Sequence, residues 1–252
     1  MRLKDQVAII TGAGAGIGKA VALRYAAEGA QVLLAEIDSQ RGSDTAREIH
    51  SAKGEAFFVR TDVAEEADVQ ALVKTAIVRY GRIDILVNNA AVLMHGKDTR
   101  LHELSSAVWD RTLAVNLRGY WLCAKYVIPY MLNQGHGCII NLASPTGLRG
   151  YKGLTAYSVS KGGVAALTRA MAADYTRENI RVNAIVPGSM DTPLNAPILA
   201  DRKVRKRLTD MAPCGRLGTG EDVAGLAVFL ASRDADYCAG GFYTADGGLM
   251  AI

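Results

Sequence analysis

Val7-Ala8-Ile9-Ile10 runs directly into Thr11-Gly12-Ala13-Gly14-Ala15-Gly16-Ile17-Gly18, and this junction decides how the rest of the chain is read. Four apolar residues rich in β-branching predict a buried strand, the glycines a tight turn, and Lys19 to Glu28 an amphipathic helix. That is half of a nucleotide-binding βαβ unit. Glycines let backbone approach a pyrophosphate, and the free N–H groups and positive end of the following helix attract its charge. The spacing through Gly12, Gly16 and Gly18 is GxxxGxG, with Gly14 as an extra, and not GxGxxG. Alone, such a turn is a weak signal; its place after the first strand strengthens it.

The 252 residues, half of them apolar, suit one α/β domain with a sizeable core. A formal charge of +4 is mildly basic, but lysines and arginines are dispersed except in Arg202-Lys203-Val204-Arg205-Lys206-Arg207. That run reads as a solvated helix face and not a nucleic-acid surface. Cys123, Cys138, Cys214 and Cys238 are far apart and form no CxxC, which points to reduced thiols in a cytoplasm. No targeting segment and no bilayer-length apolar run is evident, so neither a nucleic acid nor a membrane is expected as a partner.

Five further strands are predicted: Gln31 to Glu36, Ala56 to Thr61, Ile83 to Val87, Cys138 to Leu142 and Arg181 to Val186. Helical segments lie between them at Arg41 to Ala52, Glu65 to Tyr80, Ser105 to Leu132 around Asn116, and Tyr157 to about Thr176. This alternation argues for a doubly wound parallel sheet with helices on both faces. Ligands in such sheets bind beyond the carboxyl ends of the strands, where Gly12, Glu36, Asp62, Asn89, Ser144 and Pro187 fall.

Glu36 ends the second strand roughly twenty positions past the glycines, where a carboxylate accepts both hydroxyls of an adenosine ribose. It repels a 2′-phosphate, and neither Ile37 nor Ala15 offers a cation there, so NAD is favoured over NADP. Asp62 reads equally as a cap for the next helix or as a partner for an adenine amino group. Tyr157 and Lys161 are spaced to share a helix face, which brings an ammonium near a phenol. A neighbouring cation favours phenolate and lowers a pKa that is ordinarily about 10, and such a pair exchanges a proton with an alcohol or ketone. Taken alone, YxxxK occurs often by chance.

Jointly, Thr11 to Gly18, Asp62-Val63, Asn88-Asn89-Ala90, Asn116, Ser144, Tyr157 with Lys161, Pro187-Gly188 with Thr192, and Asp246-Gly247-Gly248 resemble the short-chain dehydrogenase/reductase family over residues 5 to 250. The resemblance implies a Rossmann-type fold with a seventh strand near Phe242 to Thr244, nicotinamide-dependent oxidation or reduction, and a homotetramer or, less often, a homodimer. It implies that Tyr157 is the general acid/base and that Ser144 hydrogen-bonds the substrate oxygen. Lys161 then lowers the tyrosine pKa and binds ribose hydroxyls, while Asn116 holds a water leading to solvent. For the cofactor it implies Gly12, Ala15 and Ile17 at the pyrophosphate, Glu36 at the adenine ribose, and Asp62 and Val63 at the adenine. Asn89, Ala90 and Ala91 flank the ribose, and Pro187, Gly188, Met190 and Thr192 border the nicotinamide. Two departures stand out: alanine at Ala91, where the family usually has glycine, and Pro145 directly after Ser144.

The expected function is therefore NAD-dependent interconversion of a secondary alcohol and a ketone, with an NADPH-preferring carbonyl reductase as the alternative. A non-catalytic cofactor sensor on the same fold is a third reading, disfavoured by the intact Asn116, Ser144, Tyr157 and Lys161. Substrate choice is expected in 145–154, around Met94-His95, and in 191–211, which the resemblance implies is a mobile lid. His50, His95, His102 and His136 lack metal-ligand spacing, and Ser144 is not in a GxSxG elbow.

Overall fold

Short β-branched and aliphatic runs, all but the last followed by a helix, build the computed structural model, which describes residues 1–251. Residue 252, the last of the expected 1–252 domain, lies outside the described residues. The strands are β1 (Val7–Thr11), β2 (Gln31–Glu36), β3 (Glu55–Arg60), β4 (Ile85–Asn88), β5 (Gly137–Leu142), β6 (Ile180–Pro187) and β7 (Phe242–Ala245). All pair in parallel in the order β3-β2-β1-β4-β5-β6-β7. The order reverses between β1 and β4, and that switch point is where such sheets open a crevice.

The strands are apolar at successive positions because both faces are covered. Ala8, Ile10, Val32 and Leu34 pack on one side with α1 (Gly16–Ala27), α2 (Ser39–Ser51) and α9 (Gly220–Ala231). Ile9, Leu33 and Ala35 face the other side, against α3 (Glu66–Tyr80), α5 (Gly119–Gln134) and α6 (Thr155–Tyr175). No helix among the described residues is long and apolar enough to cross a membrane. All four cysteines are free.

The structure departs from the sequence expectation mainly at element ends. The first helix begins at Gly16, ahead of the expected Lys19, so its first amides lie within the glycine turn. The second begins at Ser39 because the Asp38 carboxylate accepts the amides of Gln40 and Arg41. The expected helical region around Asn116 is α4 (Ser106–Leu113) joined to α5 by a π-helical turn, Ala114–Arg118. Such a turn adds a residue without changing composition, which is why periodicity does not reveal it.

Helix α6 is tied to the sheet by a buried polar chain. Asn88 Nδ2 donates to Asn141 Oδ1 at 3.0 Å, and Asn141 Nδ2 donates to Thr168 Oγ1 at 2.9 Å. Asn141 and Thr168 are fully buried, so neither can turn to water for a substitute. We expect Asn141→Ala to lose about 1–3 kcal/mol of stability, at roughly 2–4 °C of melting temperature per kcal/mol for a chain of this size. Thermal unfolding followed by circular dichroism checks this, and an unchanged midpoint would show the chain to be incidental.

Candidate active site

The glycine turn is held open by its neighbours. Gly12 and Gly16 have φ of +64° and +54°, conformations that glycine adopts without strain. A Cβ on Gly18 would lie 2.2 Å from the Gly12 carbonyl oxygen and 2.4 Å from Asn89 Nδ2. Asn89 closes the turn onto β4: its Nδ2 donates to the carbonyls of Thr11 (2.9 Å) and Gly12 (3.1 Å). In return Thr11 Oγ1 accepts the amides of Asn89 (2.9 Å) and Ala90 (3.0 Å). Helix α1 then starts with no side-chain cap and no acidic residue in its first turn, so its positive end faces the crevice unneutralised.

Two adjoining cavities occupy the crevice. One, of about 400 Å³, is lined by Gly12, Ala15, Ile17, Glu36, Asp62, Val63, Asn89, Ala90 and Thr192. The other, of about 560 Å³, has Ser144, Tyr157, Lys161, Pro187, Gly188 and Met190 in its wall. Ile17, Asn89, Ala91, Thr192 and Leu194 line both. Every expected cofactor or catalytic position except Asn116 thus borders one continuous space. Asn116 lies fully buried behind it, with Oδ1 accepting the Val92 amide (2.8 Å) and Nδ2 donating to Val92 O (2.9 Å) and Ser160 Oγ (3.2 Å). Both amide hydrogens are thereby spent on structure.

The smaller cavity has the shape and donors of a dinucleotide cradle: an uncapped helix start, glycines in close approach, and a carboxylate at the far end. Glu36 Oε2 accepts the Gly14 amide at 2.9 Å and Oε1 the amides of Ile37 (2.9 Å) and Asp38 (3.1 Å), which fixes the carboxylate in place. Asp62 does not cap α3, whose cap position is Glu65. Its carboxylate instead accepts the Ala64 amide at 3.0 Å and pairs with Arg111 at 3.1 Å.

In the larger cavity Ser144 and Tyr157 line the same wall, and the Ser144 hydroxyl, which accepts from the Thr146 amide and Oγ1, lowers the phenol's pKa. Burial is the greater effect and pushes Tyr157 up to about 12. The expected approach of the Lys161 ammonium to the phenol takes a different form. Lys161 Nζ donates to Leu142 O at 2.6 Å and Tyr120 Oη at 3.3 Å, and lies 5.8 Å from the centroid of the Tyr157 ring. Sharing a helix face brings the two side chains together, but a long lysine turns to the nearest strong acceptor, here a strand-end carbonyl. Burial drops Lys161 to about 7.

A family model described as enoyl-(acyl carrier protein) reductase matches residues 12–250. The chain belongs to the short-chain dehydrogenase/reductase family. Among its relatives in that family is the cis-4-hydroxycyclohexanecarboxylate dehydrogenase of Sinomonas cyclohexanicum, 40% identical over 98% of this chain and 98% of that one. The crystal structure of levodione reductase superposes with a TM-score of 0.95 at 35% identity, covering both chains completely. A Beutenbergia cavernae protein provisionally described as an NAD(P)-dependent gluconate 5-dehydrogenase, with NADP bound at low occupancy, gives 0.94 at 35% identity over 99% and 98% of the two chains. Named dehydrogenases and reductases of CH–OH groups thus surround this chain, and it is an oxidoreductase of that kind.

Arg41, Arg111 and Asp98, which stand at or behind the crevice, are not singled out by the sequence, whereas His95 is. Arg41 lines the smaller cavity beside Glu36; reading Asp38 as a helix cap would have placed it there. Arg111 joins through its pair with Asp62. His95 Nε2 donates to Leu194 O at 3.0 Å, joining the loop after β4 to segment 191–211. The buried Asp98 accepts the amides of Ala156 (3.0 Å) and Tyr157 (2.9 Å), capping α6 from a separate loop. No local signal marks Asp98, because its partners are distant in sequence. We expect Asp98→Ala to destabilise by about 1–2 kcal/mol and to lower turnover through Tyr157, with Asp98→Asn intermediate in both thermal unfolding and rate.

Lys161 also sets a pH dependence. Its ordinary value of 10.5 applies to the unfolded chain and about 7 to the folded one, so between these the unfolded state binds more protons and stability rises with pH. The burial of Tyr157 opposes this only above its ordinary 10.0, where the folded state holds its proton longer. Denaturant titrations of the ligand-free protein should show stability climbing from about pH 7 towards pH 10, and Lys161→Met should flatten that climb.

Proposed function

We propose that this oxidoreductase uses NAD to interconvert a secondary alcohol and a ketone in the larger cavity. One observation carries the reading: Ser144, just past β5, and Tyr157 of α6 line one cavity that is continuous with the dinucleotide cradle. A bound nicotinamide dinucleotide supplies the hydride chemistry. Gly12, Ala15, Ile17 and the α1 amides hold its pyrophosphate, Glu36 the adenine ribose, and Asp62 and Val63 the adenine. Asn89 and Ala90 flank the ribose; Pro187, Gly188, Met190 and Thr192 border the nicotinamide, with Tyr157 and Lys161 alongside.

Ser144 orients the substrate oxygen, and Tyr157 Oη takes its proton in oxidation or gives one in reduction. A phenol held near 12 is a weak base at neutral pH. Protonated Lys161, buried nearby and free of a carboxylate partner among the described residues, is the group that shifts Tyr157 towards phenolate. Asn116 acts by fixing the segment at Val92 and the Ser160 turn of α6. Residues 191–211 close over the cavity as a lid. Assembly as a homotetramer, or else a dimer, in a cytoplasm completes the proposal.

A second reading, preference for NADPH, is favoured by Arg41, a cation beside Glu36 in the smaller cavity. Steady-state kinetics with both cofactors at equal concentration separates the two. We expect NAD to be preferred at least about tenfold and Glu36→Ala to erode that preference; an NADP preference in the wild type establishes the Arg41 reading. Tyr157→Phe should lose nearly all turnover while still binding NAD in calorimetry, and wild-type-like rates would falsify the mechanism.

A further inference from the structure

The larger cavity presents cations and no anion. Lys152, Lys161 and Arg207 contribute to its wall, and no aspartate or glutamate does. The carboxylates nearby are committed elsewhere. Asp191 pairs with Arg205 at 2.8 Å and Asp210 with Lys206 at 2.7 Å. Asp201 accepts the first amides of α8 (Arg202–Asp210), and Asp98 those of α6. Asp246 accepts the amides of Gly248 and Met250.

Arg207 and Lys152 have no acidic partner among the described residues. Arg202 and Lys203 share α8 and are also unpaired, but they do not line this cavity. The basic residues of the run are exposed, and Arg207 is the one member that lines the site's cavity as well as the outer groove of the helix. The wall beside these cations is aliphatic, with Leu154, Ile198, Leu208 and Met211 among its residues. Same-sign charge along a low-dielectric cleft concentrates a counter-ion of opposite sign. A guanidinium presents parallel donors that match a carboxylate.

We infer that the substrate is an alcohol or ketone with an apolar body ending in a carboxylate, which Arg207 binds with support from Lys152. The inference rests on the alcohol–ketone reading of the same site. With the reacting oxygen at Ser144 and Tyr157, the apolar wall accommodates the body of the molecule and leaves its charged end to the two rim cations. A neutral ketone of equal size forgoes that attraction.

The test uses matched acid and amide probes, in binding and in turnover. Calorimetry compares cyclohexanecarboxylate with cyclohexanecarboxamide on the wild type, Arg207→Gln and Lys203→Gln. The wild type should bind the acid about 10–100-fold tighter, the scale of one charge-assisted hydrogen bond, and less so in high salt. Arg207→Gln should bring the ratio towards one. Lys203→Gln, which removes the same charge from the same helix outside the cavity, should keep it. Undetectable binding of the acid, equal binding of both probes, or a preference that survives Arg207→Gln overturns the inference. Turnover of 4-oxocyclohexanecarboxylate and its amide, each with NADH and NADPH, separates the two readings. Acid preference in binding without turnover of either ketone supports the anion site and removes the alcohol–ketone reading for cyclic ketones. Turnover with no acid preference upholds that reading and overturns the carboxylate.

Discussion

The hydrogen bonds between Asn89 and the glycine turn are the constraint on which the rest of the site depends. They join β1 to β4 at the point where strand order reverses, and so fix the two strand ends that floor the crevice. Thr11 answers through its hydroxyl, and the exchange satisfies backbone groups that glycines would otherwise leave loose. A turn this rich in glycine is entropically costly to order. Anchoring it from the neighbouring strand offsets that cost and keeps the start of α1 aimed into the crevice.

The second constraint is electrostatic. Tyr157 and Lys161 are buried together, and burial alone moves both away from the charged state, the phenol upward and the amine downward. Each shift works against folding stability in its own pH range, so the fold tolerates a polar pair that an apolar pair of the same size would outperform. Its support is structural: the Leu142 carbonyl and Tyr120 hydroxyl hold the amine, and Asp98 caps the helix carrying both. These contacts come from separate elements, so the positions of Tyr157 and Lys161 depend on packing across the domain.

Relatives at 35–40% identity cover nearly all of this chain, yet their names cover different alcohols and ketones. That diversity fits the architecture. The glycine turn, the strand ends and the α6 face are positioned by the sheet, whereas the wall of the larger cavity is drawn from loops and the segment 190–211. Residues there can change without disturbing the core on either face of the sheet.

Strand and helix order was legible in the sequence because apolar runs and glycine turns are local signals, and so was the convergence of Gly12, Glu36, Asp62, Asn89, Ser144 and Pro187, because parallel strands share one carboxyl edge. The resemblance carried by Ser144, Tyr157 and Lys161 supplied the family. What only the tertiary structure decided is where side chains find partners distant in sequence: Asp98 on the amides of α6, Arg41 beside Glu36, Lys161 on a strand-end carbonyl, Arg207 at the cavity wall. Periodicity records which way a residue faces. It does not record what lies opposite, and the packing of those distant elements is what buries the phenol and the amine and moves both away from the charged state.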